Sequence, residues 1–219
     1  MSSGSYECLL HGILTTEEAK DSLLRRLVGM CGKDSQLDLF EHQIGFSPTV
    51  QTAAGPARND DLLLRLHATI SNEKQKSLKH REWYLVLQGY PEPQRGRTVT
   101  VRPVTQAKVG GDALRFVRSL CYTFAFEFAR QGFVFAYQDN VRISVTRLYK
   151  LSKRWDVNSL QPFHDNEHQW LVEVTSIPVG QEQVNQMAEQ LNKIRALLSG
   201  IVELESVDNR ALQNKIHRT

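Results

Sequence analysis

Gly132-Phe133-Val134-Phe135-Ala136-Tyr137 leads through Gln138-Asp139-Asn140 into Val141-Arg142-Ile143-Ser144-Val145-Thr146-Arg147-Leu148-Tyr149. Both outer runs alternate with period two, which sends every second side chain to one face of a sheet. A polar Asp-Asn loop between two such runs reads as a hairpin. The same grammar recurs along the chain. Tyr6 to Leu14, Leu37 to Phe46, Leu62 to Ala68, Trp83 to Leu87, Thr98 to Arg102, Gln169 to Thr175 and Ile201 to Glu205 all read as strands.

Three stretches read as helices. In the first, about 16 to 31, Ala19, Leu23, Leu27 and Met30 recur at helical spacing. Thr15 and Glu18 have the form of a capping box ahead of it, and Gly32 stands where a C-cap wants glycine. The second runs from an N-cap at Asp112 to about Cys121. Phe124, Phe126 and Phe128 then alternate, which favours a strand after that helix. In the third, Val184, Met187, Leu191, Ile194 and Leu198 fall at steps of three and four, with Gly200 closing it.

The strands do not alternate regularly with helices, which argues against a parallel α/β sheet. A large antiparallel sheet must manage its edges, and closure is the usual solution. The expected fold is therefore mainly β (α+β): a closed antiparallel barrel of eight or nine strands flanked by three helices. It forms a single domain over 1–219, with flexible tails at 1–5 and 209–219.

Composition narrows the function. The 219 residues carry a net charge of only +3, which gives no electrostatic reason to invoke nucleic acid. No window approaches the roughly 20 apolar residues of a membrane helix, and the N-terminus lacks a secretory pattern. The chain reads as soluble and intracellular. Cys8, Cys31 and Cys121 are odd in number and widely spaced, as buried thiols in a reducing compartment would be.

The polar faces of the strands are where chemistry would sit. Arg65 and His67, Thr100 and Arg102, Arg142, Ser144 and Thr146, Glu173, and Glu203 with Glu205 each lie opposite apolar neighbours. With helices outside, these residues would line a lumen. Acidic and basic rings in a tunnel are how a metal-dependent triphosphatase holds a phosphate chain. Glu203-x-Glu205 suits one metal-binding strand, but the first strand reads Glu7-Cys8-Leu9, with Leu9 where a second carboxylate is needed. No catalytic, cofactor-binding or metal-ligating residue is assigned. His164 and His168, four apart, read as an exposed loop rather than a zinc site. Lys74, Lys76, Lys79 and Arg81 read as a basic, solvated loop.

The ordered segments resemble the Mediator subunit 18 family. Tyr6-Glu7-Cys8-Leu9-Leu10-His11-Gly12 is similar to its opening strand, and Leu27-Val28-Gly29-Met30-Cys31-Gly32 to the end of its first helix. Trp83-Tyr84-Leu85 with Gly89-x-Pro91-Glu92, Glu127-Phe128-Ala129-Arg130-Gln131-Gly132-Phe133-x-Phe135 and Arg147-Leu148-Tyr149-Lys150 follow in order. Leu171-Val172-Glu173-Val174 and Ala188-Glu189-Gln190-Leu191 complete the set. The resemblance implies a non-catalytic, nuclear subunit of the Mediator head module without a cofactor. It implies pairing with subunit 20, a sister barrel, and capture of a C-terminal helix of subunit 8. RNA polymerase II and the general transcription machinery would be indirect partners, with no membrane and no direct nucleic acid contact. The implied barrel is similar to RNA triphosphatases but lacks their catalytic set. Trp83, Tyr84, Phe133, Phe135 and Trp170 are candidate partner-binding anchors, because interface hot spots favour large aromatics. The alternative is a metal-dependent tunnel triphosphatase acting on RNA 5' ends or polyphosphate.

Overall fold

The computed structural model describes residues 5–49, 51–52, 55–56, 62–93, 96–163 and 168–207. Its strands are β1 (Tyr6–Leu14), β2 (Leu37–Pro48), β3 (Gln51–Thr52), β4 (Gly55–Pro56), β5 (Leu64–Thr69), β6 (Trp83–Gln88), β7 (Thr100–Val109), β8 (Tyr122–Tyr137), β9 (Val141–Leu151), β10 (Leu160–Pro162) and β11 (Trp170–Ser176). Its helices are α1 (Glu17–Cys31), α2 (Ala113–Ser119) and α3 (Val184–Leu198). The order β9-β11-β1-β7-β6-β5-β2-β8 returns to β9, so eight antiparallel strands close a barrel. β10 adds a short ninth strand on β9, and β3 and β4 form a separate two-residue ladder. Among the described residues no helix is long and apolar enough to cross a membrane.

The barrel is apolar outside and polar inside. Cys8, Leu10, Val99, Val101, Ile143, Val145, Val172 and Val174 face outward and pack beneath α1 and α3. On another side Ile44, Phe46, Leu64, Leu66 and Trp83 pack beneath Ala113 and Val117 of α2. Burial of these two layers is the main favourable term for the fold.

The helix ends show how local sequence sets boundaries. The cap of α1 is Thr16, one residue later than the expected capping box: its Oγ1 accepts the Ala19 N–H at 3.2 Å. Gly32 ends α1 at φ 94°, a backbone state that favours glycine. Asp112 caps α2 through the Arg115 N–H at 3.0 Å, and the strand after Cys121 begins at Tyr122 as expected.

Four expectations change. Phe124, Phe126 and Phe128 of β8 do not share a face, because Gly45 pairs with Phe126 while Phe46 pairs with Phe124. Ala125 is the extra residue of this bulge, which turns Phe124 outward and leaves Phe126 and Phe128 inside. The fifth strand does not stop at Arg102; β7 runs on to Val109 against β6. The expected last strand, Ile201 to Glu205, is an extended segment joined to β1 by one bridge, Glu205 to His11. Glu205 bonds the backbone of β1 at its edge, while Val202 presses onto the outer face of β1 at Gly12. A Cβ on Gly12 would stand 2.6 Å from Val202 Cγ2, so only glycine admits that approach. β10 falls just ahead of the His164–His168 loop, in a stretch where no strand was expected. The tails expected to be flexible lie, apart from Ser5, outside the described residues, as do 164–167 of the His164–His168 motif.

Candidate functional site

Inside the barrel, charged side chains pair across strands. Arg130 of β8 stands between Glu41 of β2 and Glu173 of β11. Its Nε is 2.7 Å from Glu41 Oε2, and its Nη1 donates to Glu173 Oε2. Arg142 Nη2 reaches the other Glu41 oxygen at 2.8 Å. Glu173 also meets His11 Nε2 at 3.2 Å and accepts the Ser144 hydroxyl at 3.3 Å. Further along the interior, Arg102 pairs with Glu7, which the Gln88 amide also approaches at 3.4 Å.

The electrostatics follow from this pairing. Burial opposes charge on Glu41, but Arg130 and Arg142 more than offset it and hold its carboxyl at about 2. Burial likewise opposes charge on Glu173, yet Arg130 and His11 keep it well below the usual carboxylate range. Burial pulls His67 down to about 4 against the weaker pull of Glu41, and its Nε2 is shielded from solvent without a hydrogen-bond partner among the described residues.

This interior is built for neutralisation. A carboxylate that binds metal must spend its lone pairs on the ion. Glu41 and Glu173 spend theirs on guanidinium, imidazole and hydroxyl donors. Of the polar faces read from sequence, Arg65, His67, Thr100, Arg102, Arg142, Ser144, Thr146 and Glu173 do face inward. Glu203 and Glu205 do not join them; both are exposed on the segment after α3. Leu9 faces inward at 1 % exposure, where a second carboxylate would be needed. No cluster of three potential metal ligands occurs among the described residues. Of the histidine pair, His168 is described and exposed, 3.9 Å from Glu17.

A second polar cluster lies on the outside, between barrel and loops. His42 Nε2 is 2.9 Å from Glu127 Oε2, and its Nδ1 is 2.7 Å from Arg81 Nη1. An arginine only donates, so Nδ1 accepts and Nε2–H donates to Glu127. Arg81 also donates to the carbonyls of Gln75, Lys76 and Trp155, while Glu127 accepts the Trp155 N–H at 3.0 Å. Arg81 is thus buried and belongs to this clamp, not to the solvated basic loop. Burial and Arg81 together keep His42 below its ordinary value against the pull of Glu127.

The five aromatic candidates occupy different environments. Phe135 is buried under α1 and α3, and Trp83 is buried against α2 and Arg81. Trp170 is buried among Phe133, Lys20 and Arg147, with its indole N–H donating to Glu17 at 3.0 Å. Tyr84 pairs with His67 and so points inward rather than to an outer face. Phe133 is half-buried.

Sequence reading passed over the most exposed apolar surface. Ile13 is 63 % exposed and Phe163 47 % exposed. With Leu148, Tyr149, Pro162 and Leu171 they line a cleft of about 490 Å³ at one rim of the barrel. Register carries the signal: Ile13 pairs with Leu171, which pairs with Thr146 at the inward-facing positions. Three strands therefore present this face together where the barrel opens.

Known proteins agree with this architecture. A chain in the structure of the Schizosaccharomyces pombe Mediator head module shares 21 % identity and superposes at a TM-score of 0.76, over 92 % of this chain and 98 % of that one. The mimivirus capping enzyme triphosphatase shares the fold at a TM-score of 0.51 and 9 % identity, over 90 % of each chain. A relative from Yarrowia lipolytica, Mediator of RNA polymerase II transcription subunit 18, is 30 % identical over 151 residues. That alignment spans 67 % of this chain and 63 % of the relative. The model of the Med18 protein family matches residues 6–215, and the chain belongs to that family.

Proposed function

We propose that the chain is a non-catalytic scaffold subunit of the Mediator head module, acting in the nucleus to couple regulators to RNA polymerase II through protein–protein contacts. The family match across 6–215 carries the reading. The ion-paired interior supports it, because the carboxylates a triphosphatase would use for metal are engaged by Arg130, Arg142 and Arg102. The partners proposed are subunit 20 as a sister barrel and the C-terminal helix of subunit 8. The rim cleft suits a helix with an apolar face, since it combines exposed Ile13 and Phe163 with a preformed depression. Of the aromatic candidates, Phe133 is proposed as a contact because it faces outward and keeps exposed area; Trp83, Phe135 and Trp170 would act by shaping the outer surface, and Tyr84 from inside the barrel.

The test is co-purification of the full chain with subunit 20 and with a peptide of the subunit 8 helix. Both should be retained, and Ile13→Glu with Leu148→Glu should release the helix while leaving the melting temperature unchanged. Retention of neither partner, or metal-dependent phosphate release from a triphosphate, would overturn the proposal.

A further inference from the structure

We propose that the cleft between α2 and the turn at Arg154-Trp155 is a docking site for an acidic peptide segment that carries an apolar anchor residue. The cleft measures about 350 Å³. Its walls are Phe46, Leu114, Tyr122, Phe124 and Trp155, its rim carries Arg118 and Arg154, and no Asp or Glu lines it. The walls fit a buried leucine or phenylalanine side chain, and the rim fits carboxylates on either side of it.

Arg118 and Arg154 differ from the arginines that this chain neutralises with its own carboxylates. Arg97, Arg102, Arg130, Arg142 and Arg147 all pair with carboxylates of this chain. Arg118 and Arg154 are exposed and make no ion pair with any described residue. Arg154 lies 4.2 Å from the centroid of the Phe124 ring and 5.9 Å from that of Trp155. Stacking holds a guanidinium by its face and leaves its N–H edge free for a carboxylate, which it meets with two parallel hydrogen bonds.

The cleft is also preformed. Trp155 holds a left-handed backbone at φ 67°, a state that costs a non-glycine residue energy and persists where its surroundings impose it. Those surroundings are Glu127, which accepts its N–H, and Arg81, which donates to its carbonyl. The indole Nε1–H has no acceptor among the described residues. A rigid receptor loses less entropy when it binds.

A nucleic acid fits less well. Single strands bind by stacking bases on open aromatic faces along a track of cations. Here Arg154 itself covers Phe124. The site shares no residue with the rim cleft and does not rest on the scaffold reading.

The experiment is fluorescence anisotropy of a labelled peptide in which Asp and Glu flank a central Leu and Phe, titrated with the full chain. Two control peptides replace the acids by Asn and Gln, or the Leu and Phe by Ser. A labelled single-stranded DNA oligomer is the third control. The acidic, apolar peptide should bind, more weakly at high salt. Arg118→Glu with Arg154→Glu should weaken it by about tenfold or more, the effect of losing charge-assisted hydrogen bonds. Arg154→Lys should weaken it several-fold, because a lysine keeps the charge and loses the stacked fork. Both side chains are exposed, so melting curves should stay the same. Ile13→Glu should leave the affinity unchanged, which separates this site from the rim cleft. Unaltered affinity in the double variant, equal binding of either control peptide, or tighter binding of the oligomer would overturn the proposal.

Discussion

His42 and Glu127 form a pair on the outer wall of the barrel, 2.9 Å apart, with neither side chain more than 8 % exposed. Two loops far apart in sequence meet over this pair, because Arg81 fills the remaining histidine nitrogen and Glu127 holds Trp155. The neutral imidazole of His42 bridges two desolvated charges, Arg81 and Glu127, so removing either Arg81 or the imidazole leaves a buried charge short of a partner. Arg81→Ala and His42→Ala should therefore each destabilise the protein by about 3 kcal/mol, read from chemical denaturation. In a double-mutant cycle the two losses should be far from additive, since they share one network.

Arg130 has the corresponding role inside. Arg130→Met removes the cation between two buried carboxylates, leaving Glu41 to Arg142 and Glu173 to His11 and Ser144, and should cost about 3 kcal/mol. Adding Glu173→Gln to that variant should restore part of the loss, because Glu173 is then the buried carboxylate left without a guanidinium. Urea midpoints of the single and double variants measure this.

Acid should weaken the protein in two stages. His67 sits at about 4 in the folded chain, below its ordinary 6.5. Protonation therefore favours the unfolded chain: the stabilisation is present above pH 6.5 and is lost as pH falls from there towards 4. A shift of that size corresponds to something on the order of 3 kcal/mol. His42 adds to it in the same direction. Glu41, at about 2 instead of 4.5, contributes stability above 4.5 that is lost as pH falls from there to 2. Stability measured from neutral pH downwards should fall first in the histidine range, and His67→Gln should flatten that first stage.

Cys121 links α2 to β8 with a left-handed backbone at φ 62°, and its carbonyl accepts both the N–H and the hydroxyl of Thr49 at 2.9 Å. Glycine adopts that backbone freely. Cys121→Gly should stabilise the protein by about 1 kcal/mol, observed as a higher melting temperature. Gly132→Ala should do the reverse, because a Cβ there would lie 2.1 Å from the Val145 carbonyl oxygen.

Alternation made most of the barrel legible before any coordinates. The hairpin of β8 and β9, the helix faces and the polar lining at Arg65, His67, Arg102, Arg142 and Glu173 all follow from period and spacing. Glu41 and Arg130 were less visible. Arg130 falls between two runs that read as separate strands, and their continuity shows only in the unbroken pairing of β8 with β2 and β9 through Arg130 and Gly132. The outer clamp was hidden for another reason: Arg81 reads as one of four loop cations until a buried histidine is found beneath it. Aromatic residues pointed towards partner surfaces, but tryptophan and phenylalanine also fill cores, and burial separates the two uses only in three dimensions. The rim cleft depends on which strand ends lie side by side, which is a matter of register.

The Cys8 N–H bonds the Ser176 hydroxyl across 168 residues of chain. That bond belongs to the seam between β1 and β11. A ribosome delivers β1 early, yet this seam forms only after nearly all the other strands have emerged. Until then the nascent chain carries an unmated sheet border, the kind that recruits wrong neighbours. Synthesis of this protein thus includes an interval in which a chaperone has something definite to shield.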